Sequence, residues 1–255
     1  AEVAATVLGP EGWCLTLQNG VGNLEILSEA LGPERVAGGL SYHSAYMDGP
    51  GRVVHTHAAE TWLGELDGRR SDRLGALSGV LGQAGFDPRI VDDIEGMIWG
   101  KFLHNVAINA PCAVAGLRVG ELSLYPPADE FQTRIVEEAL AVLAAKGVAL
   151  PEADPMADIK AFCRAKFNKP SMLQHVEAGR RTEIDALNGI VVREGKALGV
   201  PTPFQRGADA GDALDRRRQR APGRGAGGFR GAGGGAEGGG RRGLTLGPAV
   251  ALVSL

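Results

Sequence analysis

Trp13-Cys14-Leu15-Thr16-Leu17-Gln18-Asn19-Gly20-Val21-Gly22-Asn23 is an apolar run that ends in a polar, glycine-containing turn. Residues 13–17 read as a short buried strand, set between two stretches of helical periodicity at 1–12 and 19–32. The turn at 18–22 opens the second helix, so the unit is strand, turn, helix. A second β stretch follows at 35–46, then Asp48-Gly49-Pro50-Gly51, then 52–57, a pattern that signals a hairpin. A further strand is expected at 61–66 and a helix at 71–84. From Ile94 the texture changes to helix after helix, at 94–115, 129–146, 157–167, 171–178 and 183–198, with no convincing strand. The class is therefore α/β followed by all-α, with the hinge near 92–95 and no internal repeat.

Composition bounds what such a chain does. Its 255 residues are 44% hydrophobic and 22% charged, enough for one large or two ordinary domains with a real core. No apolar run approaches the ~20 residues a transmembrane helix needs. Cys14, Cys112 and Cys163 are odd in number and widely spaced, which excludes a disulfide framework and a paired-cysteine metal site. Glu2 and Glu11 stand where a signal peptide would be basic, so a reducing, cytoplasmic setting is the default. The net charge of −3 divides unevenly: residues 206–255 carry +5 and the rest −8. Residues 215–242 are so rich in Gly and Arg that they are expected to be disordered, with the boundary at about Gln205. Arg/Gly segments can bind nucleic acid, but this one holds a single aromatic, Phe229, beside an acidic folded part. Nucleic acid is therefore the weaker reading of the chain. The last twelve residues, LTLGPAVALVSL, are apolar but too short to span a membrane.

Polar residues at core-like positions mark the candidate site. Lys101, Asn105 and Asn109 recur every four residues, which stacks one ammonium and two amides along one helix face. The residues between them, Phe102, Leu103, Val106, Ala107 and Ile108, are too apolar for an ordinary surface helix. Buried amides need partners, and a ligand is a natural one. Ser171 follows Lys169-Pro170 at a helix start, where a hydroxyl suits a carboxylate ligand or caps the helix. Thr182 to Asp185 has the spacing of a capping box. His55 and His57 alternate on one strand, but two histidines are too few for a zinc site, and His43 and His175 read as structural or peripheral.

Three collinear motifs carry a resemblance. Residues 16–23 (TLQNGVGN), Trp99-Gly100-Lys101 with Asn105 and Asn109, and Lys169-Pro170-Ser171-Met172-Leu173-Gln174 through 183–189 (EIDALNG) resemble ketopantoate reductase. Leu198-Gly199-Val200-Pro201-Thr202-Pro203 is similar to that family too. The resemblance implies part of a Rossmann-like dinucleotide-binding domain over 1–92 and a 6-phosphogluconate-dehydrogenase-like helical domain over 93–205. A disordered Arg/Gly-rich tail would follow over 206–255. It also implies reduction of 2-dehydropantoate to pantoate with NADPH, on the route to pantothenate and coenzyme A. The alternatives are another 2-keto acid as substrate or a non-catalytic remnant whose Arg/Gly tail binds nucleic acid, and homodimerisation stays open. By the same resemblance Lys101 is the proton donor, and Asn105, Asn109 and Ser171 are substrate ligands. Asn19, Ala45 and Glu183 meet the cofactor. No metal is implied. Family members begin with a strand, Gly-x-Gly-x-x-Gly and a helix that hold the pyrophosphate, about the first third of the enzyme. No such motif opens this chain, so impaired cofactor binding and activity are expected. A family substrate-binding Asn is Val119 here, and the expected helix after Pro-Thr-Pro gives way to the Arg/Gly tail, as a frame-shifted or fragmentary gene product would.

Overall fold

The computed structural model of the protein describes residues 1–209 and 250–253. β1 (Trp13–Thr16) is buried along its length. Side chains alternate across a strand, so Cys14 joins Val36 in a cluster with Leu27 and Leu31 of α2 (Asn23–Leu31) and Ala4 of α1 (Glu2–Val7). Trp13 and Leu15 join Ala37, Leu63 and Leu74 in a second cluster. These two small cores sandwich a mixed sheet with strand order β6 (Asp87–Ile90), β5 (Glu60–Glu65), β2 (Val36–Ser41), β1, β7 (Val250–Val253). β2 runs parallel to β1 and antiparallel to β5, which pairs parallel with β6. β3 (Ser44–Met47) and β4 (Val53–His57) form a separate antiparallel hairpin around the Asp48–Gly51 turn. Ser71 caps α3 (Asp72–Gln83), accepting from Leu74 N–H at 3.3 Å.

The join between sheet and helices is made by glycine. A Cβ at Gly64 would lie 2.5 Å from Cβ of Ile94, and one at Gly38 3.1 Å from its Cγ1. Without those side chains, the first residue of α4 (Ile94–Ala115) rests directly on the sheet. Asp93 caps this helix, accepting from Gly96 N–H at 2.8 Å, and Gly116 closes it at φ 72°. Around α4 wrap α5 (Val119–Leu124), α6 (Pro126–Lys146), α7 (Pro155–Ala165), α8 (Ser171–Glu177), α9 (Asn188–Leu198) and α10 (Pro203–Asp209), burying the largest core of the molecule. β6 and α5 are short elements whose periodicity does not stand out in the sequence.

Several expectations are corrected. Residues 206–209, expected to be disordered, are helical: α10 runs through them, with Ala208 in the core. Glu138 holds the helix by accepting from the backbone N–H groups of Phe204 and Gln205 at 2.9 and 2.8 Å, and the wholly buried Gln205 anchors it from within. At the other end, β7 (Val250–Val253) pairs parallel with β1, opposite Trp13 to Thr16, and its backbone satisfies the polar groups of that strand edge. The Arg/Gly stretch 215–242 lies outside the described residues. Thr182 and Asp185 form no capping box, since α9 begins only at Asn188, after a 3₁₀ turn over Ile184–Ala186. Asp185 instead meets Arg181 at 3.4 Å. Among the described residues no helix is long and apolar enough to cross a membrane.

Candidate active site

Lys101, Asn105 and Asn109 face the end of the sheet from α4. They line a cavity of about 380 Å³ together with Asn19, Ser171 and Glu183. Three separate parts of the chain converge there. Asn19 lies in the turn after β1, where Gly20 and Gly22, both at φ 91°, let the backbone reverse into α2. Ser171 is the first residue of α8, preceded by Pro170 at the cap position. Glu183 is exposed and precedes the Ile184–Ala186 turn. Of the residues assigned to the site from sequence, Ala45 is the one not brought to the cavity; it is exposed on β3, opposite His55.

The polar groups are held loosely except at the ammonium. Lys101 Nζ donates to the Ser41 carbonyl, at the end of β2, at 2.6 Å and lies 5.2 Å from the centre of the Tyr42 ring. Burial brings its pKa down to about 8, because the charged form loses hydration. Burial raises the Tyr42 pKa, and the nearby Glu152 and Glu60 carboxylates push it the same way. Asn109 Nδ2 donates to Asn105 Oδ1, and Ser171 Oγ donates to Asn109 Oδ1, both at 3.5 Å. Those distances are at the outer limit of a hydrogen bond, so an anion or hydroxyl could take both donors at little cost. The cavity thus offers one acidic ammonium and a row of neutral donors, which suits polarising and protonating a carbonyl oxygen beside a carboxylate.

His43 is a lining residue, not a peripheral one. Its Nδ1 is 2.8 Å from His55 Nε2, the two rings stack at 5.0 Å, and its own Nε2 is buried with no hydrogen-bond partner among the described residues. Ser41 ends β2 and Tyr42 and His43 directly follow it, and the carboxyl ends of strands in open α/β sheets are where ligands bind. Val119, which stands where a substrate-binding Asn is expected, is instead a core residue of α5, and its N–H donates to the Asn168 carbonyl at 3.2 Å.

A family model described as ketopantoate reductase PanE/ApbA matches residues 1–68, and one described as ketopantoate reductase PanE/ApbA C terminal matches residues 93–207. A 2-dehydropantoate 2-reductase of Archaeoglobus fulgidus is 34% identical over 206 residues, covering 81% of this chain and 67% of the relative. Another from Halobacterium salinarum is 32% identical, covering 80% of this chain and 68% of the relative. Among solved structures, a PanE/ApbA family ketopantoate reductase from Ralstonia eutropha superposes with a TM-score of 0.75 at 30% identity, covering 86% of this chain and 72% of that one. D-mandelate dehydrogenase, solved with NADH and anilino(oxo)acetate, gives a TM-score of 0.73 over 86% of this chain and 72% of its own; at 24% identity it speaks to the fold alone.

Proposed function

Because the chain belongs to the ketopantoate reductase family, we propose that it reduces 2-dehydropantoate to pantoate with NADPH in the cavity between the sheet end and α4. The observation that carries this reading is Lys101, a half-buried ammonium with its pKa lowered to about 8, in one cavity with Asn105, Asn109 and Ser171. Residues 1–92 would form the dinucleotide-binding part and residues 93–205 the helical substrate part.

The residues present fit the nicotinamide end of the cofactor. Asn19 offers an amide and Glu183 a carboxylate at the cavity wall, and His43 Nε2 is a buried polar atom with no hydrogen-bond partner among the described residues. When bound, NADPH supplies a hydride. Lys101 then has two tasks: it polarises the substrate carbonyl oxygen, and it delivers its proton to that oxygen as negative charge develops there. A pKa near 8 leaves the group mostly protonated at neutral pH yet far more willing to give up the proton than an ordinary lysine. Asn105, Asn109 and Ser171 are uncharged donors for the substrate carboxylate and hydroxymethyl groups. Neutral donors leave Lys101 as the cation of this wall, so the carbonyl rather than the carboxylate meets the acid.

The test is NADPH consumption by the full-length protein with a panel of 2-keto acids, with the product identified. Pantoate from 2-dehydropantoate, at the highest kcat/KM of the panel, is the expected result. NADPH consumption that no 2-keto acid stimulates would refute the reading.

A further inference from the structure

The polar face of α4 depends on what lies behind it. Pro111 sits inside this helix. Proline has no N–H, so the carbonyl four residues earlier, that of Ala107, loses its helical donor. Gln132, on α6 and wholly buried, fills the gap: its Nε2 donates to the Ala107 carbonyl at 3.1 Å. From another helix, the wholly buried Asn188 sends Nδ2 to the Val106 carbonyl at 3.4 Å. Gln205 Oε1 accepts from the same Asn188 nitrogen at 2.7 Å, and Gln205 Nε2 donates to the Ile135 carbonyl at 2.8 Å, fixing the orientation of both amides.

The carbonyls grasped are those of Val106 and Ala107, which lie between Asn105 and Asn109 in the chain. From this geometry we infer that Gln132 and Asn188 are positioning residues, which clamp α4 from behind at its proline and so set the spacing of Asn105 and Asn109 in the cavity. Packing alone does not account for two amides here. Among the described residues Gln132 Oε1 and Asn188 Oδ1 are both buried without a hydrogen-bond partner, a cost an apolar side chain of similar size would avoid. What both amides supply and an apolar chain does not is an N–H toward α4; Gln132 Nε2 also donates to Cys163 Sγ on α7, at 3.2 Å. Asn105 meets Asn109, and Asn109 meets Ser171, only at 3.5 Å, so a small shift of the helix would separate those donors.

The catalytic consequence rests on the reductase reading; the positional one does not. Two readouts on the full chain keep them apart. First, the side-chain amide signals of Asn105 and Asn109 are compared by NMR in the parental protein and in Gln132→Met, without substrate. They are expected to shift while the melting temperature stays close to parental. Second, steady-state kinetics are expected to show KM for the keto acid raised about 10-fold, the loss of one well-placed hydrogen bond, with the NADPH Kd unchanged. Gln132→Glu, kept neutral by its apolar surroundings, offers an O–H to the same carbonyl and should bring KM back toward parental. If Gln132→Met does not fold, Asn188→Leu removes the donor to Val106 and should move the same two signals. Unmoved signals overturn the clamp, as does an unchanged KM in a protein that does turn over keto acid. A parental protein that turns over no keto acid refutes the reductase reading and leaves the NMR comparison to decide the clamp.

Discussion

Lys101 is the group whose titration most sharply separates a catalytic ammonium from an ordinary one. Moving its pKa from 10.5 to about 8 corresponds to roughly 3 kcal/mol between its charged and neutral forms. The profile of kcat/KM reports groups of the free enzyme, so the basic limb should bend near pH 8. At pH 9.5 a donor of that pKa leaves kcat/KM about 30-fold below its plateau, whereas a donor at 10.5 leaves it within about 10%. The same burial affects stability. Between these two pKa values the unfolded chain holds more protons than the folded one, so stability rises with pH across the window. Below pH 8 the full penalty for burying the ammonium is present. Lys101→Met removes that penalty but strips the Ser41 carbonyl of its donor, so the variant should be more stable than parental by about 1–2 kcal/mol at pH 7. The advantage should fade by about pH 10.5. Urea melts of both proteins at several pH values measure it. A basic limb at pH 10 or above, or a Lys101→Met protein less stable than parental at pH 7, would refute the account of this residue.

Asn109→Ala or Ser171→Ala should raise KM for the keto acid about 5- to 30-fold and leave the NADPH Kd unchanged, which initial rates and cofactor titration check. Arg73→Ala should destabilise by about 3–5 kcal/mol in denaturant melts. It strands Glu65, only 2% exposed on its side chain, which now accepts from Ser71 Oγ and from both Arg73 Nε and Nη2. Gly64→Ala forces a methyl against Ile94 and the Val91 carbonyl; a loss of about 1–3 kcal/mol and a weakened docking of α4 on the sheet are expected by thermal melting and limited proteolysis.

How much of this is legible in the sequence depends on whether the signal is local. The Lys101, Asn105 and Asn109 stripe can be read because a four-residue polar period is conspicuous in a helix that is otherwise apolar. The 94–115 helix and the Asp-Gly-Pro-Gly turn are legible for the same reason, since periodicity and turn chemistry act over a few residues. The stretch at 35–46, read as one arm of the hairpin, instead divides into β2, which joins the sheet, and β3, which pairs with β4. α10 escapes a local reading because what holds it is remote. Glu138 caps it across 66 and 67 positions, and Gln205 reaches Ile135 across 70. β7 escapes it because four apolar residues after an Arg/Gly stretch say nothing of the strand edge they pair with. His43 reads as peripheral because its partner, His55, lies twelve positions along the chain, on β4. The spacing of Thr182 and Asp185 suggests a cap, but a local spacing yields to the tertiary placement of the helix, which starts six residues after Thr182.

The central claim is that Lys101 protonates the substrate oxygen, and the measurement that tests it most directly is the kcat of Lys101→Ala with 2-dehydropantoate at saturating NADPH, alongside a cofactor titration. Removing both polarisation and proton transfer should lower kcat by about 10³-fold or more while the NADPH Kd stays within about twofold. A kcat within about threefold of parental would contradict the assignment, since a general acid is worth far more than that.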